Sequence, residues 1–137
     1  MGSEARFGER DGLPISAKGV CLDNAGRVLL CLNWRNEWEM SGGRPDPAES
    51  LETCLAREIL EEAGLIVSVR EMLSEYAFEV QPSTWVRIST YGCALPASPR
   101  LMVSSEHQPV AFIDALDLQA LPLPDGYRQA ITAWRTR

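Results

Sequence analysis

The alternation of apolar and polar positions along the chain predicts a mixed α/β fold. Short apolar runs separated by turn-forming residues are typical of β-strands, and we predict strands over 15–22, 28–34, 65–73, 75–80, 85–95 and 109–113. The first two flank Asp23-Asn24-Ala25-Gly26-Arg27, which favours a β-hairpin. Helical spacing of apolar residues instead predicts helices from Ser50 to Ala63 and from Asp125 to Arg135. We therefore expect a mixed sheet with helices packed against it.

A segment rich in glycine and proline, Ser41-Gly42-Gly43-Arg44-Pro45-Asp46-Pro47, predicts a loop before the first helix. Ser50 can cap this helix with its hydroxyl group, and Gly64 can end it in the left-handed conformation. One helix face carries small and apolar residues that we expect to be buried against the sheet: Leu55, Ala56, Ile59 and Ala63. Such packing would hold the helix backbone rigid.

Length and composition favour one globular domain that binds neither membranes nor duplex nucleic acid. A chain of 137 residues is typical of one domain, which we assign to 13–137, after a flexible segment at 1–12. No apolar run is long enough to span a bilayer. The net charge of -6 argues against a basic surface for DNA or RNA. The four cysteines are scattered, as in reduced proteins, so we expect a cytoplasmic location.

Three glutamates on the first predicted helix are the strongest indication of chemistry. Glu58, Glu61 and Glu62 are spaced i, i+3 and i+4, so they share one helix face. Carboxylates this close repel one another unless they are solvated or a cation balances them. Mg²⁺ prefers hard oxygen ligands, and a metal ion bound there would present positive charge to a phosphate. An exposed, solvated helix face is the alternative interpretation.

Neighbouring residues extend this arrangement beyond the three glutamates. Arg57 can pair with Glu49 or Glu61, since a guanidinium binds a carboxylate through two parallel hydrogen bonds. Gly43 lacks a side chain, so its backbone carbonyl can approach a metal ion closely. A metal site accounts for all of these residues together, whereas a solvated helix face accounts only for the glutamates.

Residues 43–65 follow the pattern Gly, five residues, Glu, seven residues, Arg-Glu-Ile, one residue, Glu-Glu, one residue, Gly-Leu. This segment resembles the Nudix box of the MutT-like Nudix hydrolase family at every defined position. The resemblance implies an α/β/α sandwich with a mixed central β-sheet. It also implies an Mg²⁺-dependent pyrophosphohydrolase, for which Mn²⁺ can substitute. Such an enzyme cleaves the diphosphate linkage of a nucleoside diphosphate derivative, of the ADP-ribose or nucleotide-sugar type, by metal-activated water.

Matched position by position, the resemblance implies a role for each defined residue of the box. The catalytic metal ligands would be three carboxylates and one backbone carbonyl, from Glu58, Glu61, Glu62 and Gly43. Arg57 and Glu49 would support the helix. The general base is either one of the box glutamates or an acid on a later loop. The later candidate is Glu106, in the polar run Ser104-Ser105-Glu106-His107.

Residues outside the box are assigned by their position along the chain. Glu106 has a solvated loop acid as its alternative interpretation, and His107 is interpreted as a surface residue. Three residues close to or within the glycine loop are expected to contact the substrate: Trp34, Arg35 and Arg44. Other aromatic residues in strands are expected to fill the core: Trp38, Tyr76, Phe78, Trp85 and Tyr91.

Other functions stay open alongside this one. A (d)NTP pyrophosphohydrolase of the MutT housecleaning type would use the same residues on a different substrate. A non-catalytic nucleotide-binding module would keep the fold, although the retained glutamates argue against it. An isomerase acting on a diphosphate would need a further acid or cysteine near the reacting carbon. The expected partner is a small nucleoside phosphate, and the sequence is compatible with a monomer or a homodimer.

Overall fold

The computed structural model describes residues 9–97, 99, 101 and 109–137. Their elements are, in chain order, β1 (Glu9–Arg10), β2 (Leu13–Cys21), β3 (Val28–Leu32), β4 (Trp38–Gly43), α1 (Leu51–Ala63), β5 (Ser68–Gln81), β6 (Thr84–Ala94), β7 (Val110–Ile113), α2 (Ala115–Ala120) and α3 (Asp125–Arg135). The strands form a mixed sheet in the order β5-β6-β2-β4-β3-β7, and β1 pairs with the start of β2. β2 and β6 are parallel, whereas the other neighbours are antiparallel.

The two faces of the sheet bury separate apolar cores. Successive residues of a strand point to opposite faces, so Val20 of β2 lies in one core and Cys21 in the other. α1 packs on the Cys21 side through Leu55 and Ile59. α3 packs on the Val20 side through Ile131. The predicted α/β/α sandwich with a mixed central β-sheet is therefore confirmed.

β2 and β3 do not form the predicted hairpin. A bridge joins Leu22 to Val28, and beyond it β4 lies between the two strands. The turn itself is closed by Asp23, whose carboxylate accepts hydrogen bonds from the backbone N–H groups of Ala25 and Arg27. The prediction was wrong because a turn sequence determines a local reversal of the chain, not the strand that pairs beyond it.

β4 continues through Ser41 and two glycines, which the sequence pattern assigns to a loop. Its first half pairs with β3 and its second half with β2, so β4 joins the two parts of the sheet. Gly42 has a φ of +150° and lies opposite Lys18. A Cβ atom on Gly42 would lie 1.9 Å from the carbonyl oxygen of Ala17, so only glycine fits there. Here the glycines mark a close strand contact instead of a loop.

Other elements also differ from the sequence prediction. β5 is one strand where the pattern predicts two, because Ser74 continues the strand, bonding its Oγ to Oγ1 of Thr90 at 2.6 Å, and bulges absorb the changes of register. α2 has no counterpart in the prediction and is capped by Asp114. Trp85, expected in the core, is 45% exposed next to the turn between β5 and β6. α3 has the predicted bounds.

The first described residues fall within the stretch predicted as flexible. Glu9 and Arg10 pair with Pro14 and Leu13 at the start of β2. The division into a flexible segment at 1–12 and a single domain at 13–137 stays a prediction. Among the described helices, none is both long enough and apolar enough to cross a membrane.

Candidate active site

α1 is fixed at both ends and along one face, which sets the direction of its glutamates. Oγ of Ser50 accepts a hydrogen bond from the backbone N–H of Thr53 at 3.1 Å, so the predicted N-cap is present. Gly64 has a φ of +71°, and its N–H donates to the carbonyl of Leu60. On the predicted apolar face Ala56 stays partly exposed, while the other members are buried: Leu55, Ile59 and Ala63.

Arg57 donates hydrogen bonds to three carboxylates, one just before α1 and two in its second half. Its Nε and Nη2 donate to the two oxygens of Glu49 at 2.8 and 2.9 Å, the bidentate geometry anticipated from the sequence. Its Nη1 donates to Glu58 at 3.1 Å and to Glu61 at 3.3 Å. We call Glu49, Arg57, Glu58, Glu61 and Glu62 the acid cluster.

Charges within the acid cluster shift pKa values in opposite directions. Hydrogen bonds from Arg57, and then from the N–H of Asp46, lower the pKa of Glu49 to about 2. Partial burial and the negative charge of Glu62 raise the pKa of Glu58, although Arg57 opposes this shift. Hydrogen bonds to Glu49 raise the pKa of Arg57. Glu49 is thus a fixed anion, whereas the charged form of Glu58 needs a compensating cation.

Gly43 lies directly against Glu58. A Cβ atom on Gly43 would lie 2.6 Å from Cδ of Glu58, so a larger residue at this position would displace the carboxylate. The carbonyl oxygen of Gly43 accepts a weak hydrogen bond from Sγ of Cys54 at 3.5 Å. The structure therefore places Gly43 directly beside the carboxylate of Glu58.

Glu62 is held by β4, not by Arg57. Its Oε1 accepts hydrogen bonds from Oγ of Ser41 at 2.6 Å and from the N–H of Gly42 at 3.3 Å. Sγ of Cys31 lies 3.8 Å from the same oxygen, and burial together with the charge of Glu62 raises the pKa of this thiol to about 12. Glu61 is different, because its side chain is 51% exposed. The strand therefore fixes Glu62, while Glu61 faces solvent.

The oxygen donors of the acid cluster suit a hard divalent cation such as Mg²⁺ in chemical type. In the described part of the chain, no three acidic, cysteine or histidine side chains are arranged so that they could hold an ion as they stand. Arg57 supplies the positive charge that Glu58 and Glu61 share here. The residues present fit a divalent cation by their chemistry, and their present geometry is that of an arginine-bridged cluster.

A cavity of about 270 Å³ is lined by residues from several strands and from α3. Its polar side chains include Lys18 of β2 and Glu39 of β4, whose Nζ and Oε1 lie 3.8 Å apart. Its apolar wall includes Phe78 of β5 and Ile88 of β6, and Tyr127 of α3 closes it. We use nucleoside cavity as a label for this space and its lining residues.

β4 connects the nucleoside cavity with the acid cluster through alternate residues. Glu39 lines the cavity, Ser41 donates to Glu62, and Gly43 contacts Glu58. Cys31 lies between the two regions, because its Sγ is 3.6 Å from the carbonyl oxygen of Glu39 and 3.8 Å from Oε1 of Glu62. One strand therefore positions both regions relative to each other.

Sequence reasoning missed Lys18 and Glu39. Lys18 is 8% exposed, and it lies in a strand whose other central residues are buried and mostly apolar. It is also the single lysine among the 13 Lys and Arg residues of the chain. A lone lysine inside an apolar run was therefore the available signal. No such signal marked Glu39, because a glutamate next to a tryptophan is an ordinary feature of a sequence.

The residues predicted to contact substrate lie in different places. Arg35 lines the nucleoside cavity, where its Nε donates to Glu37 and its guanidinium lies 5.3 Å from the ring centre of Trp34. Trp34 itself is 77% exposed, and Arg44 is also exposed. Glu106 and His107 lie outside the described residues, so the predicted base on the later loop is not placed.

The sandwich and the arginine-bridged glutamates beside a glycine of β4 together define a Nudix-type protein. The pattern of the NUDIX domain matches residues 12–134. The chain therefore belongs to the NUDIX family.

Named relatives agree with this membership. The nucleoside triphosphatase NudI of Enterobacter sp. (strain 638) is 26% identical over 131 residues, which cover 82% of this chain and 92% of that protein. A Caenorhabditis elegans protein named as a nudix hydrolase is 39% identical over 88 residues, or 59% of this chain. That match spans 23% of the Caenorhabditis elegans protein, so this chain corresponds to a small part of it.

Solved structures share the fold at low sequence identity. An ADP-ribose pyrophosphatase from Streptococcus suis 89-1591 superposes with a TM-score of 0.67 at 18% identity, over 88% of this chain and 91% of that one. Identity at this level shows the fold alone. The substrate therefore has to be argued from the residues of this chain.

Proposed function

We propose that this chain is a divalent-metal-dependent hydrolase that cleaves the diphosphate linkage of a nucleoside diphosphate derivative. One water molecule is consumed, and the products are a nucleoside monophosphate and the phosphorylated second moiety. Mg²⁺ is the proposed ion, with Mn²⁺ as a substitute. Family membership is shown, and the proposal adds the reaction and the type of cofactor.

The observation that carries the proposal is the binding of one guanidinium to three glutamates next to Gly43. Arg57 donates to Glu49, Glu58 and Glu61 at distances from 2.8 to 3.3 Å. Solvation alone would not require Arg57 to bridge them or a glycine where a Cβ would overlap Glu58. A cluster built to keep several carboxylates close together accounts for both features.

Each part of the acid cluster has a distinct role in this proposal. The ion would be held by Glu58, Glu61, Glu62 and the carbonyl of Gly43. A bound divalent cation neutralises the diphosphate and lowers the pKa of a water molecule. Arg57 and Glu49 are positioning residues, because their paired hydrogen bonds orient the carboxylates of Glu58 and Glu61. The nucleoside cavity takes the base, and Arg35, Trp34 and Arg44 are proposed contacts for the rest of the substrate.

The general base is proposed to be a glutamate of the acid cluster or Glu106. In either case the carboxylate accepts a proton from the attacking water. We expect Glu106→Gln to lower kcat by about 100-fold or more if Glu106 is the base, because general bases contribute on that scale. The measurement is kcat together with the urea midpoint of unfolding, which should not change. An unchanged kcat would remove Glu106 from the site.

A triphosphate substrate is the second candidate, and the name of one relative favours it. NudI, the relative matched over 92% of its length, is named as a nucleoside triphosphatase. A (d)NTP would give a nucleoside monophosphate and pyrophosphate, whereas ADP-ribose would give AMP and ribose 5-phosphate.

The test is a hydrolysis screen of ADP-ribose, nucleotide sugars, dinucleotides and (d)NTPs with Mg²⁺, Mn²⁺ or EDTA. Anion-exchange chromatography identifies the products and so distinguishes the two substrate classes. The matched control is the Glu61→Gln/Glu62→Gln double variant, which keeps side-chain shape and removes two charges. Isothermal titration calorimetry measures Mg²⁺ and Mn²⁺ binding to both proteins.

We expect hydrolysis that depends on the metal ion and is lost in the double variant, with calorimetric metal binding weakened in parallel. Hydrolysis that is unaffected by EDTA would overturn the metal part of the proposal. A protein that binds neither ion and cleaves no diphosphate in the screen would overturn the enzymatic proposal altogether.

The proposed setting is the cytoplasm, and either a monomer or a homodimer is compatible with it. The four cysteines are free and buried, which is in keeping with a reducing compartment. Fractionation of cells and analytical ultracentrifugation of the purified protein test these two points.

A further inference from the structure

Lys18 is a nearly buried ammonium group that lines a cavity. The residue is 8% exposed, and the cavity that it lines is the nucleoside cavity. Among the described residues its ion-pair partner is Glu39, with Oε1 at 3.8 Å, which is longer than a hydrogen bond. Burial tends to lower the pKa of Lys18, but its electrostatic interactions with neighbouring groups, which include Tyr127 and Glu39, raise the pKa overall.

An ammonium group in this position keeps donor capacity for a ligand, because its ion pair with Glu39 is longer than a hydrogen bond. All the other Lys or Arg positions of the chain are arginine, whereas position 18 is a lysine, whose ammonium group is a compact donor. The position therefore indicates recognition of an acceptor atom that enters the cavity.

The other walls of the nucleoside cavity restrict the shape of that ligand. Phe78, Val86 and Ile88 form an apolar side, which suits a flat ring and disfavours a phosphate group. Glu39 also lines the cavity and is an acceptor when ionised. Nδ2 of Asn33 lies 3.4 Å from Oε2 of Glu39, so Oε1 faces Lys18. A donor and an acceptor thus stand side by side at the cavity wall.

We propose that Lys18 and Glu39 select a keto base, meaning guanine, uracil or thymine, in the substrate of the hydrolase proposed above. Lys18 donates to the ring carbonyl oxygen, and Glu39 accepts from the adjacent ring N–H. Adenine and cytosine present an amino group where these bases present the carbonyl, so Lys18 would face a second donor. This inference rests on the proposed function, because it assumes that the cavity receives the base.

The test uses nucleoside monophosphates, which contain no diphosphate bond and therefore bind without turnover. Calorimetric titrations with GMP, AMP, UMP and CMP in the presence of Mg²⁺ compare each keto base with its amino counterpart. We expect GMP to bind about 10-fold or more tightly than AMP, and UMP likewise relative to CMP, the scale on which hydrogen-bond mismatches discriminate bases. In Lys18→Met each ratio should fall below about 3-fold, because GMP and UMP lose the donor to their carbonyl oxygen.

A second measurement needs no variant, since Lys18 is the single lysine of the chain. Protein labelled with [ε-¹³C]lysine gives one side-chain signal in a ¹H–¹³C spectrum. GMP and UMP should shift this signal at saturation, whereas saturating AMP and CMP should shift it much less. Glu39→Gln, which keeps the shape of Glu39, should reduce the keto preference without moving the lysine signal to that of an exposed side chain.

The outcomes separate this inference from the proposed function. Equal binding of keto and amino nucleotides, or a lysine signal that does not shift with GMP and UMP, would overturn the keto selection. Neither result would contradict the proposed hydrolysis. If no monophosphate binds, the selection is overturned as well, and the hydrolysis screen alone then decides the proposed function. A lysine signal that responds to GMP and UMP, with preference lost in Lys18→Met, supports the inference.

Discussion

The acid cluster and the nucleoside cavity are adjacent, yet they are built in opposite ways. The acid cluster comes from residues 49–62, so one helix and its preceding turn supply all of its charged groups. The nucleoside cavity takes its lining from strands β2, β4, β5, β6 and from α3. The cluster also carries its own counter-charge, Arg57, whereas Lys18 in the cavity has a weak partner.

This difference suggests that the acid cluster serves the reaction step and the nucleoside cavity serves recognition of the base. A cluster whose acids are held in place by Arg57 and by β4 suits a reaction step that is independent of the base. A cavity assembled from distant segments can change its polar residues without disturbing that step. Variants of the acid cluster should therefore change kcat and metal binding, while variants of the cavity should change KM and base preference.

The largest effect is expected for Glu62→Gln. The amide oxygen can still accept from Ser41 and Gly42, but the negative charge is lost, so kcat should fall by about 100-fold or more. The ratio of GMP to AMP affinity should stay the same. Glu52→Gln is the matched control, because Glu52 is exposed on the same helix. A changed base preference in Glu62→Gln would break the separation of the two regions.

Arg57→Met should lower kcat by about 10- to 100-fold, the usual cost of losing a residue that orients metal ligands. Glu58 and Glu61 lose their shared donor, and Glu49 loses its bidentate partner. Arg57→Lys should recover part of kcat, because a lysine restores charge but not the paired hydrogen bonds. Kinetics at several Mg²⁺ concentrations measure this. Equal kcat in all three proteins would contradict the positioning role.

Phe78→Ala should raise KM by about 10-fold, in line with the loss of an aromatic wall against a base, and change kcat by less than about 2-fold. Trp34→Ala is the informative comparison, because Trp34 was predicted to contact substrate but is highly exposed. Steady-state kinetics on the best substrate of the screen measure both variants. A larger rise of KM in Trp34→Ala than in Phe78→Ala would indicate that the base binds outside the cavity.

The smallest effect is expected for the stability of Glu49→Gln, which should be slightly less stable than the parent protein at neutral pH and approach it in acid. Arg57 lowers the pKa of Glu49 from the ordinary value of 4.5 to about 2 in the folded protein. The ionised carboxylate therefore stabilises the fold above about pH 4.5, and this contribution is lost as the pH falls towards 2. Urea midpoints measured across this range should fall less steeply in Glu49→Gln. Parallel curves would show that the pair does not stabilise the fold.

Local features of the fold could be predicted because neighbouring residues decide them. The cap at Ser50, the end at Gly64 and the pairing of Arg57 with Glu49 depend on residues within one or two helical turns of each other. The bounds of α3 follow from its apolar spacing in the same way. The predicted hairpin between β2 and β3 was wrong, because β4, which comes later in the chain, lies between them. The pairing of β4 depends on Gly42.

The sequence by itself determined the helix that presents Glu58, Glu61 and Glu62, because helical periodicity puts these positions on one face whatever surrounds them. Only the tertiary structure decided that Ser41 holds Glu62 and that Lys18 meets Glu39 at the wall of a cavity. The physical reason is distance along the chain. Contacts between separate strands depend on which strands pair and in which register, and no single segment encodes both.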